Sequence, residues 1–257
     1  MQNSHFTRFS QNVDNADLPK KFMLIRHDTP HYLCVLAANE LKKYLSEQKD
    51  WEHNFGLFEA KTPVIGKMFG VLVVQNEENE IGYLSAFSGK LAGGNHHANF
   101  VPPVFDMLTD GSFLNEGMKE LTLKNQEIKK LQAEKPLNDA LLNFLTEKRK
   151  KHSFALQQKL FESYFFLNQE GISKSLFAIF QDANRKMPPS GTGECATPKL
   201  LQYAFLHQMK PLAIAEFWWG QSPKGNQRKH EHFYPCCKEK CEPILGYMLE
   251  SIEKEYV

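Results

Sequence analysis

No apolar run in this 257-residue chain approaches the roughly 18 residues that a membrane-spanning helix needs, and its N-terminal stretch carries no signal-like apolar core. We therefore expect a cytoplasmic chain with no membrane partner. A global basic field is missing too. With 31 Lys and Arg against 30 Asp and Glu the net charge is +1, so any hold on RNA has to come from local patches. The cysteines, five in all with three clustered, are odd in number, which argues against a disulfide framework and for metal binding or free thiols. No Walker loop is present, because Gly82 to Lys90 lacks the required glycine spacing. What the chain does have is bulk for a core. Its 20 Phe and 3 Trp, over a length that suits one large or two modest domains, exclude disorder.

Turn residues, candidate metal ligands and strong periodicity fall together only between Met187 and Tyr247. Pro188, Pro189, Gly191 and Gly193 break any preceding helix and force a turn. Cys195 follows, and then Leu200, Leu201, Ala204 and Phe205 recur at helical spacing, with Pro198 tolerated in the first turn, where a backbone donor is unpaired anyway. Cys195 is thus expected at or near a helix N-terminus, where the macrodipole favours a thiolate and hence metal binding or reactivity. Pro211 to Trp219 is a short apolar run bounded by Gly220 and reads as a buried strand. Pro235 marks another helix start. Cys237 and Cys241, four residues apart in the helix it opens, present both sulfurs on one face, whereas Cys236 diverges from Cys241 by more than a third of a turn.

A cysteine on a helix start, a strand, then a cysteine pair on the next helix start resembles the zinc site of the cytidine deaminase-like fold, in which zinc keeps its fourth position for water. On that resemblance the zinc ligands are Cys195, Cys237 and Cys241. Two departures stand out. Thr197 occupies the place of that family's proton-shuttling glutamate, Glu194 precedes the cysteine instead, and the pair reads C-C-x-x-x-C rather than C-x-x-C. They argue against a working deaminase, unless Glu194, Glu216 or Glu231 supplies the proton transfer from another direction; a zinc-dependent deaminase-like hydrolase is the alternative on those terms.

The segments GTGECATPKLLQYAF, PLAIAEFWWGQSP and RKHEHFYPCCKEKCEPILGYML, with GKMFGVLVV and GYLSAFSGKLAGGNHHANFVPPVFD upstream, resemble the long N-terminal region ahead of the catalytic domain in a bacterial subgroup of RluA-type pseudouridine synthases. The match runs from about Lys67 to Tyr247. That family's catalytic H-R-L-D run is not in this chain, and Arg26-His27-Asp28 does not match it. The resemblance implies the non-catalytic front part of an enzyme that isomerises uridine to pseudouridine in ribosomal or transfer RNA. It would help to bind or position RNA and isomerise nothing alone.

The remainder of the chain supplies the frame. Residues 1 to 20 are polar and without periodicity, and are expected along the surface. Leu33 to Leu45 has amphipathic helix spacing, with Cys34 read as a small buried hydrophobe. Phe69 to Val74 and Ile81 to Phe87 read as a hairpin around the polar QNEENE turn. The long loop after it offers Ser88, Lys90, His96 and His97 as a candidate site, against a plain connector whose glycines satisfy turn geometry. Leu114, Met118, Leu121, Asn125 and Ile128 form a short coiled-coil seam that Pro136 ends, and two further helices follow over 137 to 168 and 172 to 180. The expected architecture is α/β: a mixed sheet with helices on both faces, built from residues 1–113 and 186–257, and interrupted by a helical arm over 114–185. The arm could join two copies as a homodimer, and a protein-interaction module acting through it is the further alternative function. The charge run at Glu147 to His152 reads as a solvated helix face. Lys224, Arg228, Lys229 and His230 lie beside Trp218 and Trp219 and could grip RNA by phosphate contact and stacking, burial of the rings being the competing reading.

Overall fold

The computed structural model of the chain describes residues 5–14, 18–25, 29–59, 62–106, 108–109, 112–134, 138–185, 187–222 and 227–256. Their elements run β1 (Thr7–Arg8), β2 (Phe22–Leu24), α1 (Tyr32–Glu47), β3 (Lys67–Gln75), β4 (Ile81–Phe87), α2 (Phe113–Ala133), α3 (Asp139–Glu162), β5 (Phe165–Leu167), β6 (Ser173–Ser175), α4 (Leu176–Asp182), α5 (Ala196–Leu206), β7 (Lys210–Trp219), β8 (Phe233–Tyr234), α6 (Cys241–Met248) and β9 (Lys254–Tyr256).

A strand that is apolar on both sides must be covered on both faces, and β3 and β7 are such strands, buried over nearly their whole length. They pair antiparallel at the middle of a sheet ordered β1-β4-β3-β7-β2-β9, in which β2 runs parallel to both β7 and β9, so the sheet is mixed. The pleat sorts their side chains. Phe69, Val71, Val73, Ala215 and Phe217 face α1, which buries Leu33, Cys34, Ala37, Ala38 and Leu41 against them. Leu72, Val74 and Ile214 face the other way, under Leu200, Leu201 and Ala204 of α5 and Ile244 and Met248 of α6. Gly70 lets α5 sit close, since a Cβ there would stand 2.9 Å from that of Ala196. The expected α/β class, a mixed sheet with helices on both faces, is what the chain forms, and Cys34 is fully buried.

Several local expectations change. Residues 7 and 8 do not merely lie along the surface; they pair with Tyr83 and Gly82 as an edge strand. The arm is α2 packed on α3, and the expected seam holds except at Met118, with Leu114, Asn125 and Ile128 half-buried. Gly117 is buried, with Leu156 filling the place of the Cβ it lacks, and Leu121 is buried, while Met118 is 52% exposed. Pro136, the expected end of α2, lies outside the described residues, as does Arg26-His27-Asp28. The second part of the proposed insertion is not projecting. Phe161, Tyr164, Phe166, Leu176, Ile179 and Phe180 bury their side chains in the same cluster as Leu72 and Leu200, and β5 and β6 make a small two-stranded sheet there. Among the described residues no helix is long and apolar enough to cross a membrane.

Candidate metal centre

The turn before α5 is left-handed at Gly191 and Gly193, and at Gly193 a Cβ would stand 2.7 Å from the ring of Tyr164. It delivers Cys195 as the N-cap of α5, making no side-chain cap bond, so its sulfur is free for another partner. The cap is supplied instead from the sheet. Glu216, opposite Gly70 on β7, accepts from the Thr197 amide at 2.9 Å and from its hydroxyl at 2.8 Å, both on Oε1. A carboxyl oxygen thus meets one of the unpaired donors that every helix start exposes.

The second helix begins later than Pro235 suggests. Cys237 sits in a turn, α6 opens at Cys241, and the Cys241 amide donates to the Cys237 carbonyl at 3.1 Å. One turn still separates the two cysteines, and it stacks their sulfurs 3.3 Å apart. The sulfurs of Cys195 and Cys237 are 3.9 Å apart, and all three lie within 4.8 Å of one another. Thiolates at about 2.3 Å from a tetrahedral zinc stand about 3.8 Å from each other, so the observed spacing fits such an ion. Among the described residues this is the one group of three metal-type ligands. Cys236 stays out of it and contacts the Thr197 hydroxyl at 3.1 Å. Charge in the trio gathers on Cys237, whose thiol contacts with Cys195 and Cys241 hold its pKa well below the ordinary value while its two neighbours are pushed up.

Glu216 is 4% exposed, and burial raises its carboxyl pKa to about 7 against the opposing bonds from Thr197. No hydrogen bond among the described residues engages its other oxygen, Oε2. On the same face of β7, the Arg228 guanidinium lies 5.3 Å from the Trp218 ring and 5.2 Å from that of Tyr234, and its charge draws the Glu216 pKa down.

Behind the trio runs a buried polar chain that the sequence reading did not foresee. The Tyr164 hydroxyl donates to Glu194 Oε1, and Lys199 Nζ lies 3.7 Å from Glu194 Oε2. Lys199 also donates to the carbonyls of Phe87 at 3.2 Å and Gly89 at 3.3 Å, and the Gly89 amide donates to the Glu194 carbonyl at 2.8 Å. A lysine set between apolar positions of a helix was the signal for it. The chain fixes the start of the loop at Ser88 to the cysteine segment.

The rest of that loop turns away. His97 bonds the Leu91 carbonyl at 2.7 Å and packs edge-on against Trp51 and Phe87, while exposed His96 pairs with Asp106 at 3.0 Å. The two histidines, Ser88 and Lys90 therefore do not converge on one point. The RNA candidates divide likewise. Successive strand positions send Trp218 and Trp219 to opposite faces, and both are buried, at 8% and 4% exposed, so neither ring is a stacking platform. His230 accepts from the Gly220 amide at 3.0 Å and packs on Trp219; Arg228 is half-buried and Lys229 exposed. Lys224 lies outside the described residues. Set against protein-family models, curated protein sequences and solved structures, the chain shows no significant match.

Proposed function

We propose that this chain is a thiolate zinc domain serving RNA modification, as the non-catalytic front part of an RluA-type pseudouridine synthase that helps hold the RNA. The observation that carries the metal half is the convergence of Cys195, Cys237 and Cys241 from two helix starts at tetrahedral spacing. The RNA half is supported by the family resemblance of the segments around those cysteines, and by Arg228, whose charge acts on Glu216 next to the centre, with exposed Lys229 following it in the chain. Zinc bound there supplies a cross-link between α5 and the start of α6. Metal analysis of the chain purified without added metal tests the first half, with about one equivalent of zinc expected and less than about a tenth refuting it. Fluorescence anisotropy with ribosomal RNA fragments tests the second, with binding that weakens as salt rises and is lost in Arg228→Gln/Lys229→Gln. The chain alone should release no tritium from RNA labelled at uridine C5, and turnover would overturn the non-catalytic reading.

A second reading rests on Glu216. In the deaminase-like arrangement a glutamate stands two residues after the first ligand; here Thr197 stands there and hydrogen-bonds the Glu216 carboxyl. Zinc in such a site lowers the pKa of a water in its open position. Glu216, with Oε2 uncommitted, would hold or return the proton. Ammonia release from cytidine or adenosine in RNA by the zinc-loaded chain, abolished in Glu216→Gln with zinc retained, would establish it; no release from either base removes it.

A further inference from the structure

On the face of the sheet opposite α5 and α6, an open cleft of about 570 Å³ runs between the end of α1, residues 48–58 and the end of β7. Leu45, Trp51, Phe55, Phe58 and Trp219 form its apolar part. Phe55 and Trp219 are buried in the layer under α1, whereas Phe58 stands 87% exposed. Val64 and Ile65, 49% and 48% exposed, run alongside: the Ile65 amide donates to the Asn54 carbonyl at 2.9 Å, and a Cβ on Gly56 would meet Val64 at 2.5 Å. A second hollow of about 400 Å³, bordered by Pro63 and Ile65, shares Glu52, His53 and Asn54 with the first. Three large apolar side chains left in water around one opening mark a surface that something covers.

The polar groups of the cleft decide what that is, because most are already committed. Gln48 accepts from the Asp50 and Trp51 amides at 3.0 and 3.3 Å, and Asn54 accepts from the Gly56 amide at 2.9 Å and donates to the Thr62 carbonyl at 2.6 Å. His53 and His230 are neutral: each Nδ1 accepts a backbone amide, from Ala92 at 3.3 Å and from Gly220 at 3.0 Å, which an imidazolium cannot do. Burial lowers both of their pKa values, in agreement. Two carboxylates are left over. Glu52 makes no ion pair or hydrogen bond among the described residues, and Glu231 meets Lys42 only at 3.8 Å and His230 only at 3.7 Å. Among the described residues no lysine or arginine lines either hollow. One donor is left as well. The Trp51 indole N–H is buried with no hydrogen-bond partner among the described residues, a cost that an acceptor brought to it would remove.

We propose that this cleft receives an arginine-bearing segment of a protein partner, with the guanidinium at Glu52 and Glu231 and apolar neighbours against Phe58 and Ile65. Carboxylates beside aromatic rings call for a cation with a flat apolar face. Guanidinium is that group, since it pairs with carboxylates through a planar fork and stacks on rings. A peptide backbone also supplies the carbonyl that the Trp51 N–H lacks, which a lone small cation does not. An arginine seated in a pocket and ringed by apolar contacts is the usual form of an interface anchor, and the volume suits a side chain with its flanks. This docking does not depend on the RNA role proposed above, because carboxylates repel a phosphate backbone.

Peptide arrays and tryptophan fluorescence test it on the full chain, because Trp51 and Trp219 both line the cleft. The chain is applied to acetylated pentapeptides with arginine fixed at the centre and the flanks varied, beside the same set with central glutamine. Binding should gather on arginine peptides with apolar flanks and be about tenfold weaker on their glutamine counterparts. The strongest arginine peptide is then titrated in solution, where Glu52→Gln/Glu231→Gln should weaken it about tenfold and Phe58→Ala about fivefold. No arginine peptide bound above its glutamine counterpart, or a double variant that binds as the wild type does, overturns the site. Agmatine binding as tightly as the peptide would make the ligand a free cation and overturn the partner, as would an RNA oligonucleotide that displaces the peptide. A dimer in sedimentation that Phe58→Ala dissociates would give the cleft to a second copy, with the same consequence. Both glutamates are exposed, so the double variant should melt as the wild type does. If it melts lower, Glu52→Gln alone takes its place, with a loss of about fivefold expected and an unchanged affinity overturning the site.

Discussion

Glu216 and Thr197 touch across the two elements that define the centre, and burial of that carboxyl, against the opposing bonds from Thr197, makes stability depend on pH in a direction that can be stated. The folded carboxyl has its pKa raised from 4.5 to about 7 by burial, so below pH 4.5 both folded and unfolded states are protonated and the contribution is intact. As pH rises from 4.5 toward 7 the unfolded chain ionises first, and the difference, about 3 kcal/mol at full extent, is lost. Metal-free wild type should therefore lose stability between pH 5 and 7.5 relative to Glu216→Gln, by urea unfolding, with the gap closing on the acid side. The cysteines make a second contrast. Cys195→Ser should strip the metal, whereas Cys236→Ser, whose sulfur contacts Thr197 instead of the trio, should leave zinc content unchanged by elemental analysis. Cys195, Cys237 and Cys241 could be read from the chain because two helix starts and a one-turn spacing are local properties. The Glu216 bond to Thr197 could not, because it depends on the register that sets Glu216 opposite Gly70 and on how closely α5 approaches that glycine.

The long elements were legible for a physical reason: α1, β3, β4, α5 and β7 each carry enough apolar positions to fix a period. The two-residue β1 and the three-residue β2, although β2 is wholly apolar, are too short to fix one, and their strand state comes from partners already in place, β4 for one and β7 with β9 for the other. In the arm the expected seam fails only at Met118, because Gly117 beside it contributes no apolar signal yet lets Leu156 come closest. Leu121→Asp should consequently detach α2 from α3, a loss of about 3 kcal/mol confined to the arm, read as faster amide exchange over residues 113–160 with β3 and β7 unchanged. Met118→Asp, at an exposed position, should leave the arm protected. At the end of β7 the constraint is backbone. Gly220 has φ +100, and a Cβ there would stand 2.4 Å from the Phe55 carbonyl, which accepts from the Gln221 amide. Gly220→Ala should cost about 2 kcal/mol or more in thermal or urea unfolding.

For the whole molecule the question is how far the fold depends on the thiol centre. The sheet is covered on each face by its own apolar layer, and neither layer includes Cys195 or Cys237. Helix α6 is anchored at its far end by Ile244, Tyr247 and Met248 in the main cluster, while its first residue, Cys241, and the turn before it are tied down through sulfur. A metal would therefore close the 42-residue separation between Cys195 and Cys237 without being the nucleus of the core. Chelation should free the turn around residues 235–240 and the first turn of α6, seen as increased amide exchange there, and lower the melting temperature by about 5 °C. Protection in β3 and β7 should persist, and zinc should restore the rest. The arm provides the internal control. It joins the core through Tyr164, whose hydroxyl meets Glu194 just before Cys195, so a centre that positions the arm will also change exchange near Phe161 and Tyr164 when the metal leaves. Loss confined to residues 235–245 would make the centre a local clasp, and loss spreading to the foot of the arm would make it the joint between arm and sheet.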